Sequence, residues 1–280
     1  MNQQTKWSQF GVLIIVFFFW GFVAASNSIF IPFCKTFFNL DQIQSQLIGS
    51  AFYGAYFYGS LILYVFSTIT GTDLLNKIGY KKGIIYGLLI SVVGALALAY
   101  ISGSGNATFG LVLVSFFIIA LGFSLQQTAA NPLALSLGSK ETASSRLSMA
   151  GGINNVGTTI APILLSYAIF GSTGTAENTV LSLASVKTPY LILCAAFVLV
   201  AIAIRFSKIP DQLTDDDGSI STERLDITKH PNLILGMIGI FVYVGVEVST
   251  AANLSEYLKV EYGKSEDLVA PFISLFWGSL

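Results

Sequence analysis

The chain has 280 residues with a formal net charge of −1. Only 10% of its residues are charged, and its mean hydropathy is +0.72. That is too few charges to cover a water-soluble domain, and the near-neutral balance gives no reason to expect a nucleic-acid partner. What remains is an all-α protein whose partner is the lipid bilayer.

The first apolar stretch, residues 10–33, carries no Asp, Glu, Lys, Arg or His. Its length exceeds the roughly 17 residues needed to cross a bilayer core. Ala24-Ala25-Ser26 resembles a cleavage site, but the apolar run continues past it, so a membrane span is the better reading. Its polar centre is Ser26-Asn27-Ser28, followed by Pro32. Trp20 lies two turns before Asn27 on the same face and is read as a packing residue, with aromatic cover of a substrate as the alternative.

Span 2, residues 47–70, has Gly54 and Gly59 among Phe52, Tyr53, Tyr56, Phe57 and Tyr58. Small residues let helices approach closely in lipid, and Tyr53 and Tyr56 are the rings that a cavity would use. A basic loop with Gly79, Lys81 and Lys82 leads to span 3, residues 83–101, and the following loop 102–106 is uncharged. Span 4, residues 109–137, holds Gln126-Gln127-Thr128 and Asn131-Pro132, with Gln127 and Asn131 one turn apart on a shared face. Span 5, residues 147–170, combines Gly151, Gly152 and Gly157 with Asn154-Asn155, Thr158-Thr159 and Pro162. Span 6 is residues 189–204. Cys34 and Cys194 fall in or beside different spans and read as packing residues rather than a disulfide.

Residues 207–230 form a charged linker containing Asp215-Asp216-Asp217, which reads as solvated chain. Span 7, residues 233–254, contains the one carboxylate deep in a span, Glu247, with Tyr243 one turn before it. An intramembrane acid is a functional-site candidate by default. The last stretch, residues 268–280, is 13 residues long, short of a full crossing. The expectation is that the chain is the N-terminal part of a longer protein; the alternative is a true end with an interfacial last helix.

With alternating spans, ten Lys and Arg fall on the side of the N-terminus and four on the other. The positive-inside rule then puts the N-terminus in the cytoplasm. Three spans carry amides, adjacent ones in spans 4 and 5 and the single Asn27 in span 1, and in hydrocarbon these must face other helices or a wet cavity. Interhelical glue explains any one of them. The set suits a neutral polyol, because a carboxamide offers both donor and acceptor to sugar hydroxyls. No nucleophile–base pair, metal-ligand cluster or cofactor motif is readable.

Several segments resemble the fucose permease and glucose/galactose transporter branch of the major facilitator superfamily. They are Phe19-Trp20-Gly21-Phe22 with Asn27 and Pro32; Ser50-Ala51-Phe52-Tyr53 with Gly54 and Tyr56; Gly79-Tyr80-Lys81-Lys82-Gly83; Thr128-Ala129-Ala130-Asn131-Pro132; Ser145-Arg146-Leu147; Asn154 with Gly157; and Tyr243-Val244-Gly245 with Glu247 and Ser249. The resemblance implies a major facilitator-type six-helix bundle (1–206), a cytoplasmic linker (207–230) and the beginning of a second bundle (231–280). It implies substrate contacts at Asn27, Gln127, Asn131 and Asn154 in the first bundle and at Tyr243 and Glu247 in the second. Gly79, Lys81, Lys82 and Arg146 take the loop and gating positions. Ser28 and Gln127 stand where fucose permease has acids used for proton coupling, and Asn76 stands where the wider superfamily has a loop acid. His230, at the linker edge, is a poor proton relay.

The expected function is alternating-access transport of a neutral hexose across the inner membrane, as a uniporter or as a symporter with sodium or protons. The rivals are a facilitator or exporter of another small polar solute, and a truncated, non-transporting membrane protein.

Overall fold

The structure is a computed structural model that describes residues 5–71, 73–171, 182–213, 229–264 and 266–280. Helices account for nearly all of it: α1 Trp7–Phe37, α2 Gln42–Thr70, the short α3 Leu74–Ile78, α4 Tyr80–Gly103, α5 Phe109–Ser136, α6 Ala143–Phe170, α7 Ala184–Phe206, α8 Pro231–Tyr262 and α9 Glu266–Gly278. Among the described residues, seven helices are long and apolar enough to cross a membrane. The acidic run Asp215-Asp216-Asp217 lies outside the described residues.

Most of the long helices extend beyond their apolar stretches, and polar side chains cap the starts of α2 and α5. Asp41 and Gln44 form a reciprocal capping box at the start of α2, at 2.7 and 3.0 Å. The Thr108 hydroxyl accepts from the Leu111 amide at the start of α5. Several boundaries differ from the sequence expectation by more than a turn, the start of α2 at Gln42 among them. Pro189 lies inside α7 rather than at its head, and α8 runs on through Glu256, Lys259 and Glu261. Charges that mark the end of an apolar span do not end a helix that emerges into water.

The tightest helix pairs are α4 with α5, α1 with α6, α4 with α7 and α2 with α5. Exchanging α1, α2, α4 for α5, α6, α7 maps three of these four pairs among themselves, α1–α6 onto α5–α2 and α4–α7 onto itself; the α4–α5 pair has no equally tight counterpart in α1–α7. Such an exchange is what a repeated three-helix unit produces, and an odd helix number makes the copies run in opposite directions. Small residues make the approaches close. A Cβ on Gly122 would lie 2.3 Å from the Gly87 carbonyl oxygen, and one on Gly157 would lie 2.2 Å from the Phe18 carbonyl oxygen. Gly151 and Gly152, read as packing glycines, have nothing within 4 Å of such a Cβ; they sit on the exposed face of α6. Between the helices lies a ring-rich core, with Phe30 and Phe116 4.8 Å apart and Phe123 and Phe197 5.6 Å apart. Cys34 and Cys194 are free and buried.

Helix α8 touches α1, and α9 lies along α6. Val269, Ala270, Ile273 and Trp277 form the buried stripe of α9. This arrangement places α1 and α2 opposite α8 and α9, with a space between them.

Candidate functional site

A cavity of about 280 Å³ occupies that space. Asn27 and Ser28 of α1 and Tyr53 of α2 line one side; Ser249 and Asn253 of α8 and Trp277 of α9 line the other. None of its lining residues is charged. Asn27 is only 4% exposed, and both its Oδ1 and its Nδ2 are buried without a hydrogen-bond partner. Buried amides are almost always bonded, so this amide, without a partner among the described residues, is the candidate binding group of the cavity. Asn253 donates from Nδ2 to the Ser249 carbonyl at 2.8 Å, which fixes the amide one turn below.

The other amides do different things. Gln126, not Gln127, is the fully buried one. Its Oε1 accepts from Trp20 Nε1 at 3.2 Å, its Nε2 donates to Ser91 Oγ at 3.1 Å, and Ser91 donates to the Ile119 carbonyl at 2.9 Å. Trp20 is thus a packing residue, its ring tilted against Phe17 at 4.4 Å, with its N–H satisfied across to α5. Gln127 is half-buried, and Asn131 is exposed on the same helix. Asn154 donates to the Phe17 carbonyl at 3.0 Å, and its own backbone presses on Gly21, so it ties α6 to α1. Gln127, Asn131 and Asn154 lie outside the cavity lining, and so do Tyr243 and Glu247.

Glu247 is nevertheless next to the site. It precedes the lining residue Val248, hydrogen-bonds the Tyr243 hydroxyl and lies within electrostatic reach of Tyr53 across on α2. Sequence reasoning missed Asn253 and Trp277. The Ser249–Asn253 spacing of one turn was available as a signal. Trp277 had none, because in an apolar run an indole reads as packing.

The loop residues have clear structural tasks. Gly79 takes φ +102, a backbone conformation that L side chains rarely adopt, and a Cβ there would lie 2.7 Å from Asp211 Oδ1. Tyr80 donates its amide to the Asp211 carbonyl, Lys81 donates to the Ser207 carbonyl at 2.7 Å, and Lys82 pairs with Asp211 at 3.4 Å. The basic loop is thus held by an acid beyond the end of α7, Asp211. Arg146 is buried and forms no ion pair among the described residues. Its guanidinium donates to the Ala134, Leu135 and Ser139 carbonyls and to the Thr142 hydroxyl. It closes the C-terminal end of α5, where a cation suits the helix dipole.

Six apolar helices arranged as two triplets, with an uncharged polar cavity between α1–α2 and a further apolar helix α8 with α9, define a multi-pass membrane protein of the transporter kind. The Major Facilitator Superfamily model matches residues 12–280, and the chain belongs to that family. A glucose/galactose transporter of Brucella abortus biovar 1 (strain 9-941) is 36% identical over 268 residues, covering 95% of this chain and 62% of that protein. The L-fucose-proton symporter of Escherichia coli (strain K12) is 30% identical over 89% of this chain and 59% of its own length. The crystal structure of the E. coli fucose:proton symporter superposes with a TM-score of 0.55 at 30% identity, over 74% of this chain and 52% of that one. A peptide-transporter (POT family) structure, at 17% identity and a TM-score of 0.56, has the same fold. The chain therefore spans less than two thirds of the length of these relatives.

Proposed function

We propose that this chain forms the first helical bundle and part of the second in an alternating-access transporter for a neutral hexose, working as a uniporter or a symporter. It is not an enzyme. The observation that carries this reading is the buried, unpartnered Asn27 amide in an uncharged cavity between α1–α2 and α8–α9. A neutral polyol satisfies an amide at both ends without bringing a charge to be compensated. The glucose/galactose and fucose transporters among its relatives agree with that substrate class. Ten basic residues on the N-terminal side against four opposite support an inner-membrane protein with a cytoplasmic N-terminus. In this reading Gln127 and Asn131 face the path in other states of the cycle, Asn154 holds α6 to α1, and Glu247 with Tyr243 serves coupling.

The test is uptake of labelled glucose, galactose and fucose by the full-length protein in proteoliposomes. Saturable uptake of one hexose is expected, with Asn27→Ala raising KM about tenfold, the effect of one or two lost hydrogen bonds. Absence of saturable uptake for all three, with transport of another solute instead, overturns the sugar assignment.

A further inference from the structure

We propose that Trp277 of α9 is a substrate-binding residue, whose indole N–H donates to a hydroxyl of the same sugar ring that Asn27 grips from α1. This rests on the sugar reading of the cavity. Trp277 is 6% exposed, lines the cavity, and has its Nε1 buried without a partner. Tryptophan is a donor only, and its N–H finds an acceptor in nearly every buried setting. The chain has three tryptophans. Trp7 is 61% exposed, and Trp20 gives its proton to Gln126. Trp277 is the one whose buried N–H has no acceptor among the described residues.

The indole is not free to turn away. Phe276 packs edge-on against it at 5.4 Å. The next residue, Gly278, is so close to α6 that an added Cβ would lie 3.3 Å from the Thr159 methyl. Val269, Ala270 and Ile273 bury the same stripe of the helix. The donor is therefore fixed in the wall opposite Asn27. Across the cavity Asn27 offers one acceptor and one amide donor, both unsatisfied. Trp277 adds a donor and a flat apolar face. A ring with hydroxyls on two edges and an apolar face matches that set, and an apolar solute does not, because it would leave three polar atoms unmet.

The ligand then connects helices of the first bundle to α9, so part of its binding comes from the elements that alternating access must bring together. The substitution Trp277→Phe keeps a ring in the wall and removes the N–H. In proteoliposomes of the full-length protein, Trp277→Phe is expected to raise KM for the transported hexose about tenfold, with kcat near wild type. Inhibition constants for the 2-, 3-, 4- and 6-deoxy forms of that hexose locate the contact. For one deoxy sugar, the wild type and Trp277→Phe should bind equally. Unchanged KM in Trp277→Phe overturns the proposal, and so does an equal loss for every deoxy sugar, which signals a packing role. Failure of the wild type to take up any hexose removes the sugar reading itself, and the tryptophan's role with it.

Discussion

The Lys35 ammonium on α1 sits 2.8 Å from the Glu256 carboxylate on α8, and the same nitrogen donates to Gln42 at the start of α2 at 2.7 Å. The pair joins the far end of α1 to the far end of α8, away from the chain's N-terminus. It bridges the two groups of helices that flank the cavity. The two side chains are 23% and 31% exposed, so the attraction is screened and worth about 0.2–1 kcal/mol. That is enough to bias a conformational equilibrium by at most about fivefold.

Glu256→Gln should therefore loosen this end without unfolding the protein. Ser255, next to Glu256, is 3% exposed, and a cysteine placed there reports the opening through its rate of reaction with a maleimide. The rate should rise up to about fivefold in Glu256→Gln. The charge swap Lys35→Glu with Glu256→Lys should bring it back. Equal rates in all three proteins would show that the pair does not hold the ends together.

Two adjacent glutamines separate stability from function. Gln126→Ala leaves the Trp20 N–H buried without its acceptor and Gln126's bond to Ser91 lost, a cost of about 1–3 kcal/mol. Its melting temperature in detergent should fall. Gln127→Ala, half-buried and about 100° around the helix from Gln126, should melt like the wild type and alter uptake kinetics instead. The same fall in melting temperature for both would mean that Gln127 is structural too.

The spans were legible because lipid removes the ambiguity of short apolar runs: a stretch without charge for two dozen residues has one physical outcome. Which amide does what was not legible. Gln126 and Gln127 have the same chemistry, and only the rotation of α5 against α1 and α4 decides which faces the core. Asn27 was readable because it sits alone at the polar centre of an otherwise apolar helix. Trp277 was not, because its role depends on a nitrogen left unpaired by neighbours far away in sequence. Arg146 was placed by resemblance to a loop motif, and its actual partners are carbonyls, which no sequence pattern displays.

Close approach between α1 and α6 predicts a sharp contrast between two glycines of α1. A Cβ on Gly21 would lie 2.1 Å from the Asn154 carbonyl oxygen, whereas one on Gly11 meets nothing within 4 Å. The contact is with backbone, so it cannot be relieved by a side-chain rotation. Gly21→Ala should destabilise by about 1–3 kcal/mol, through forced separation of the helices, and reduce membrane abundance. Gly11→Ala should be neutral in both respects. Normal abundance and melting in Gly21→Ala would place α1 farther from α6 than the structure has it.

Coupling is where this chain departs most from a proton symporter of the fucose-permease kind. Helices α1, α2, α4, α5, α6 and α7 contain no Asp, Glu or His within their bounds. Amides and hydroxyls do not carry a proton near neutral pH, so Ser28 and Gln127 cannot replace acids. Glu247 remains in α8, bonded to Tyr243 and near Tyr53 of α2, one residue before the cavity lining. Its position lets protonation, or a bound sodium ion, change the electrostatics between α8 and the Tyr53 side of the cavity. In proteoliposomes of the full-length protein, sugar accumulation driven by an imposed proton or sodium gradient should vanish in Glu247→Gln, because the amide keeps the shape and loses the charge. Exchange of labelled sugar at equal concentrations on both sides should persist, because it needs the cavity but not the ion. Gradient-driven accumulation that survives Glu247→Gln would assign the relay to a residue other than Glu247. Loss of exchange as well would make Glu247 part of the sugar site.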